Sequence, residues 1–234
     1  MFLSDLQTAI TKKLFDSGIE TSSLDSRIIL KEVFCFDEKE LILNSQLIVP
    51  DNKINEVDKI LSRRVSGEPV SKIFGKRDFY KSTFLISKDV LDPRPETELI
   101  IEIANNFILD KGYKNFIDLG TGSGCIILSI LKDNKNLSAL GIDISNKAIN
   151  IAQKNCSNLN LEKQATFLVS NWLSKVSGSY DLIISNPPYI PSKDIDTLLD
   201  NVKNYDPLIS LDGGDDGLKC YREIAEDINR IISK

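Results

Sequence analysis

Apolar residues return at helical spacing through the first third of the chain. Leu3, Leu6, Ala9, Ile10 and Leu14 share one face, and Gly18 supplies a stop signal. A second amphipathic stretch, from Ser23 to about Phe36, carries Leu24, Ile28, Ile29, Val33 and Phe34, with Ser22 or Ser23 as its N-cap. A short third piece covers Lys39 to Leu43. A fourth, Asn52 to Val65, sets Ile54, Val57, Ile60 and Leu61 on one face ahead of Gly67. These segments predict a small helical bundle. Gly67-Glu68-Pro69 then breaks the helical period. Residues 74–86 are rich in aromatic and β-branched side chains around the polar break Lys81-Ser82, which predicts a β-hairpin. Pro93-Arg94-Pro95 restricts the backbone, and Glu96-Thr97-Glu98 opens a helix running to about Leu109.

From residue 115 the pattern alternates. The apolar run Phe116-Ile117-Asp118-Leu119 ends at Gly120, and Ser123 to Leu131 reads as a helix. Ser138 to Ile144 reads as a strand, Ser145 caps a helix through about Asn155, and Thr166–Val169 and Tyr180–Ser185 read as two further strands. Alternating strands and helices predict an α/β, Rossmann-like domain, a parallel sheet with helices on both faces. Ligands of such sheets gather at the carboxyl ends of the strands, where the strand order reverses. The expected organisation is a helical domain over residues 1–72, a hairpin linker over 73–92 and the α/β domain over 93–234.

Composition narrows the chemistry. Hydrophobic residues make up 41% and charged residues 27% of the 234 positions, enough for a buried core. The net charge of −5 and the absence of any long Lys/Arg block argue against direct nucleic-acid binding. There is no basic leader followed by an apolar core and no apolar run near the ~20 residues that span a bilayer, so a cytoplasmic protein away from the membrane is expected. Cys35, Cys125, Cys156 and Cys220 are far apart and read as isolated thiols. The chain contains no histidine, which removes Ser-His-Asp and Cys-His nucleophile systems and Cys/His zinc sites; no metal is expected.

Two loops carry the chemistry that remains. Asp118-Leu119-Gly120-Thr121-Gly122-Ser123-Gly124 follows the first strand of the α/β domain and opens a helix. Glycine allows positive φ and close approach of a ligand, and the helix start offers free N–H groups. Asp143 ends the next strand 23 residues beyond Gly120 and can accept from both hydroxyls of a ribose. The loop is G-x-G-x-G and not G-x-G-x-x-G, and an acid precedes it. That departure favours S-adenosylmethionine over a dinucleotide, with Asp118 helping to orient the methionine ammonium, directly or through water. Asn171 can reach an adenine amino group and Trp172 can pack on its face. The predicted cofactor-binding residues are Gly120, Thr121, Gly122, Ser123, Gly124, Asp143, Asn171, Trp172 and Asn186.

Asn186-Pro187-Pro188-Tyr189 follows the fourth strand of this domain. An amide nitrogen is a poor nucleophile because its lone pair is delocalised into the carbonyl. Two acceptors on the NH₂ hydrogens, the Asn186 side-chain oxygen and the Pro187 carbonyl, would turn the lone pair toward a sulfonium methyl. The prolines stiffen the loop, and Tyr189 offers a flat face for a planar group. Asn186, Pro187 and Tyr189 are the expected catalytic residues, and Asn186, Pro187, Pro188 and Tyr189 the expected substrate contacts. No strong base is needed, which agrees with the absence of histidine.

Together these residues resemble the PrmC/HemK family of protein-(glutamine-N5) methyltransferases. The resemblance extends to Gly67-Glu68-Pro69 and the hairpin, to Pro93-Arg94-Pro95-Glu96-Thr97-Glu98, to Tyr205-Asp206-Pro207 and to Asp212-Gly213-Gly214-Asp215-Asp216-Gly217-Leu218. It implies that the substrate is the glutamine of the Gly-Gly-Gln motif of class I peptide chain release factors and that the helical domain holds that partner. A monomer is expected. Three departures stand out. Asn171 replaces the family's usual Asp, and Asp206 replaces Glu. The chain stops at Lys234, before a fifth strand and a closing antiparallel hairpin, so the last strands of the sheet are expected to be missing and the apolar strand Leu182-Ile183-Ile184 to have an open edge. Two other readings are carried forward: a DNA adenine-N6 methyltransferase acting on a flipped base, and an inactive truncated remnant that only binds the cofactor.

Overall fold

The computed structural model describes residues 1–233. They form two compact units, Met1–Phe74 and Gly75 onward.

The first unit is helical: α1 (Leu3–Asp16), α2 (Ser22–Phe34), α3 (Glu38–Leu43), α4 (Asp51–Val65) and α5 (Val70–Phe74). Its core draws Leu3, Leu6, Ile10 and Leu14 from α1, Ile29, Leu30 and Val33 from α2, and Val57 and Leu61 from α4. A buried ion pair joins α2 to α4, with Arg64 Nε donating to Asp25 Oδ2 at 2.7 Å. Three local features differ from the expectation. The N-cap of α2 is Thr21, and its side chain makes no capping bond. A capping box the apolar pattern does not reveal starts α3: Glu40 N–H donates to Asp37 Oδ1 at 2.7 Å, and Asp37 N–H to Glu40 Oε2 at 2.8 Å. Helix α5 occupies residues expected to be irregular or extended. Pro69 ends one helical period and seeds the next, because its carbonyl accepts from Lys72 and Ile73 at 3.0 Å each and its fixed φ suits a helix start.

The second unit opens with a hairpin, β1 (Lys76–Phe79) and β2 (Ser82–Leu85), paired Phe79 to Ser82 across the turn Tyr80-Lys81. Phe74 belongs to α5, so the strands are shorter than the aromatic run suggests. Tyr80 takes φ 54°, unusual for a bulky residue. The turn is held from outside: Tyr80 N–H donates to Glu98 Oε1 at 2.9 Å, and Tyr80 O–H and Lys81 Nζ both donate to Asp133 Oδ2, at 2.9 and 2.8 Å. Phe79 and Phe84 are fully buried in the core of the same unit.

The chain continues through α6 (Glu98–Lys111), β3 (Asn115–Leu119), α7 (Cys125–Asp133), β4 (Ser138–Asp143), α8 (Asn146–Asn158), β5 (Ala165–Val169), β6 (Leu182–Ser185), α9 (Asp200–Lys203) and α10 (Lys219–Asp227). The turn Pro95–Thr97 ahead of α6 is a 3-10 helix, so the α-helix starts at Glu98. The four strands from β3 to β6 form a parallel sheet in the order β5-β4-β3-β6. The order reverses between β3 and β6, so a crevice opens at the carboxyl ends of these two strands. Leu119 pairs with both Ile142 and Ser185, and Ser185 Oγ donates to the Leu119 carbonyl at 2.8 Å. The loops that leave β3 and β6 thus start side by side. On the outer edge of β6, the described residues pair only at Tyr180, which donates to the Ile231 carbonyl at 2.7 Å and accepts from Ser233 N–H at 2.9 Å. Leu182–Ser185 has no strand partner on that side among the described residues. No helix of the described residues is long and apolar enough to cross a membrane.

Candidate active site

Gly120, Gly122 and Gly124 all take positive φ, at 76°, 56° and 79°. The loop they build folds over the end of β4, where Gly120 and Thr121 N–H both donate to the Ile142 carbonyl, at 2.9 and 2.8 Å. Gly122 N–H donates to Asp143 Oδ2 at 2.9 Å, and Ser145 N–H donates to Asp143 Oδ1 at the same distance. Each carboxylate oxygen of Asp143 keeps a second lone pair for a ligand hydroxyl. Burial raises the Asp143 carboxyl above the ordinary carboxylate range, while these backbone N–H groups pull it back.

Behind the loop, Asp118 is completely buried, and Thr121 Oγ1 donates to its Oδ2 at 2.7 Å. Oδ1 has no hydrogen-bond partner among the described residues. Asp118 does not line the cavity; it holds the glycine loop from behind through Thr121, and of the two expected routes to the methionine ammonium, direct or through water, the direct one is not open to it here. Thr121 and Ser123 are also buried away from the cavity. Gly124 caps α7, which starts two residues later than expected because a left-handed residue cannot belong to the helix. A Cβ on Gly124 would lie 3.1 Å from Leu128 Cδ1 and 3.2 Å from Ala152 Cβ, so glycine there lets α7 and α8 pack closely.

The remaining predicted positions do come together. A cavity of about 640 Å³ is lined by Gly120, Gly122, Asp143, Asn171, Trp172, Asn186 and Pro188. It is large enough for a nucleoside cofactor. The indole of Trp172 lies beside Gly120, where an added Cβ would sit 3.5 Å from a ring carbon. An acid for a ribose, a backbone bared by glycine and an aromatic plate on one concave wall fit S-adenosylmethionine. A second cleft is lined by Arg94, Glu96, Asn186, Pro187 and Tyr189. Asn186 borders both, together with Leu91 and Ser210. Its carboxamide makes no hydrogen bond with a described residue, and none donates to the Pro187 carbonyl. Pro187 is buried and Tyr189 is 59% exposed.

The exit of this loop is clamped. Ile190 N–H donates to the Leu211 carbonyl at 3.1 Å, Gly213 N–H to the Ile190 carbonyl at 2.8 Å, and Ser192 N–H to the Gly214 carbonyl at 2.9 Å. Ser192 Oγ adds a bond to Asp212 Oδ1 at 2.6 Å. A Cβ on Gly217 would fall 2.3 Å from the Tyr189 carbonyl oxygen, and one on Gly213 would fall 2.7 Å from Tyr189 Cα. On the other flank, Asp206 accepts from Arg94 at 2.7 Å and from Asp92 N–H at 3.0 Å, tying the segment after the hairpin to the segment after α9. Sequence reasoning missed several cavity residues, among them Asp89, Leu91, Ile209 and Glu223. Their sole sequence signal was proximity to the two proline-containing segments, and Glu223 had none.

Fold and site define a class I S-adenosylmethionine-dependent methyltransferase. The family model described as "Methyltransferase small domain" matches residues 79–202, and "PrmC N-terminal domain" matches residues 5–75. Three curated relatives are each named release factor glutamine methyltransferase. That of Caulobacter vibrioides is 38% identical over 96% of this chain and 78% of its own. That of Rhodospirillum rubrum is 39% identical over 93% and 66%, and that of Agrobacterium fabrum 36% over 96% and 79%. The chain belongs to the release factor glutamine methyltransferase family.

Proposed function

We propose that this chain transfers a methyl group from S-adenosylmethionine to the side-chain amide nitrogen of the glutamine in the Gly-Gly-Gln motif of class I peptide chain release factors. The observation that carries the reading is Asn186, a carboxamide with no partner among the described residues at the junction of two cavities. When bound, the cofactor would supply an electrophilic methyl on a sulfonium whose sulfur leaves as the neutral thioether of S-adenosylhomocysteine. The N-methylated amide is strongly acidic and gives up one proton to water, so no side-chain base is needed. Asn186 Oδ1 and the Pro187 carbonyl accept the two amide hydrogens, which localises the nitrogen lone pair and aims it across the junction. Tyr189 stacks on the planar amide. Buried Pro187 and the glycine clamp on Tyr189 hold this geometry before the substrate arrives, so positioning and preorganised acceptors carry most of the rate. Four free cysteines, three of them buried, support a reducing cytoplasm as the place of action.

Mass spectrometry of the release-factor glutamine peptide, after incubation with the chain and S-adenosylmethionine, tests substrate and competence together. A single methyl on glutamine is the expected result. Methylation of duplex DNA without methylation of the release factor would favour the adenine-N6 reading, and cofactor binding with no transfer to either would favour an inactive remnant. Asn186→Ala is expected to abolish transfer while cofactor binding stays measurable by calorimetry. An unchanged rate rules out the acceptor role.

A further inference from the structure

We propose that Glu223, on α10, is a positioning residue for the cofactor cavity and acts through the indole of Trp172. The proposal rests on the cofactor reading alone and does not depend on which amide is methylated. Trp172 follows β5 with φ 41°, a left-handed backbone that a bulky side chain rarely adopts. Such a conformation persists where its surroundings over-determine it. Here the clamps come from two directions. Ser170 Oγ donates to the Trp172 carbonyl oxygen at 2.8 Å, which holds the backbone. Trp172 Nε1–H donates to Glu223 Oε2 at 2.7 Å, which holds the ring.

The indole N–H is a donor only and the carboxylate an acceptor only, so this charge-assisted bond fixes direction as well as distance. The ring it fixes lies against Gly120 of the glycine loop, and both residues line the cavity with Glu223 itself. The other carboxylates on the wall, Asp89, Asp143 and Asp212, are engaged by Lys147, by Gly122 and Ser145, and by Ser192 and Gly214. Glu223 is therefore the acid that sets the plate. Helix α10 places it there: Cys220, Glu223 and Ile224 share one side of the helix, with Cys220 and Glu223 on the cavity wall and Ile224 in the core.

Trp172 is the only tryptophan of the chain, so its emission reports on this contact without a label. The probe is S-adenosylhomocysteine, titrated into the full chain with no release factor present; a failure here leaves the acceptor assignment untouched. Glu223→Leu is expected to shift the Trp172 emission and weaken binding about tenfold, with the cofactor KM rising in parallel and kcat falling less than about threefold. Glu223→Gln, which retains an acceptor, should bind within about threefold of the parent. Glu223→Ala, which adds no apolar bulk, is read in the same way should the leucine variant fail to fold. In a Trp172→Phe background, followed by calorimetry, the Glu223 substitutions should cost nothing more. Parental affinity in Glu223→Leu and Glu223→Ala overturns the proposal, as does an equal loss in the parent and phenylalanine backgrounds, which would mean that Glu223 touches the ligand directly.

Discussion

Burial pushes the Asp118 carboxyl up to about 7, against the pull of the Thr121 hydroxyl, and the nearby Asp143 charge adds to the rise. The native chain therefore keeps a proton that the unfolded chain releases in the ordinary carboxylate range. Stability from this residue is fully present below that range and is lost as pH rises through about 7. Urea unfolding at pH 5 and pH 8 should show the parent losing on the order of a few kcal/mol more than Asp118→Asn, which cannot ionise. Equal losses would contradict an ionising Asp118. Sequence alone marks this residue as chemically special, an acid ahead of a glycine loop, yet it cannot distinguish a side chain facing a ligand from one turned into the protein. Burial decides that, and burial depends on β4 and α7, which pack around it. The same limit applies to Thr121, Ser123 and Gly124. The G-x-G-x-G spacing locates the loop, but only the folded backbone sorts its residues into those that face the cavity and those that support it.

At the scale of elements, the segment 211–217 acts on the loop after β6 through backbone bonds and through two positions where no side chain fits. Gly217→Ala must move the Tyr189 carbonyl or its own loop, and its φ of 77° already disfavours alanine. The expected outcome is a methyl-transfer rate at least about tenfold lower, with S-adenosylhomocysteine binding within about twofold of the parent, because the glycine loop is untouched. Equal losses in rate and in cofactor affinity would instead indicate a general loss of folding. The strand-helix alternation from residue 115 was legible in the apolar pattern, since each strand is a short apolar run between turn residues. Helix α5 and the left-handed turn at Tyr80 were not. The first depends on a proline whose carbonyl starts a helix, the second on Glu98 and Asp133, which approach from distant positions to hold an unfavourable backbone.

Across the whole molecule, each unit has a core of its own. The helical unit depends on one buried charge pair, Asp25 with Arg64, linking α2 and α4. Asp25→Ala leaves the guanidinium buried without its partner and should destabilise this unit by about 3 kcal/mol or more, seen as an earlier transition in thermal denaturation followed by circular dichroism. Replacing both residues with apolar ones of similar volume should restore most of that loss. This pair could not be read from the chain, because its members stand 39 residues apart and each resembles an ordinary helix-surface charge.

The junction at Asn186 has a consequence for stoichiometry. In the proposed function the two acceptors, the Asn186 oxygen and the Pro187 carbonyl, would match a nitrogen that carries two hydrogens. Once methylated and deprotonated, the same nitrogen carries one, and on rebinding its methyl would have to take the place of the other. The loop is stiff by virtue of its prolines and its clamped exit, so it cannot reshape itself around the product. A site of this kind counts hydrogens: it accepts a primary amide once and expels what it makes. Even prolonged incubation with excess cofactor should leave a monomethylated glutamine and no dimethylated species in the mass spectrum.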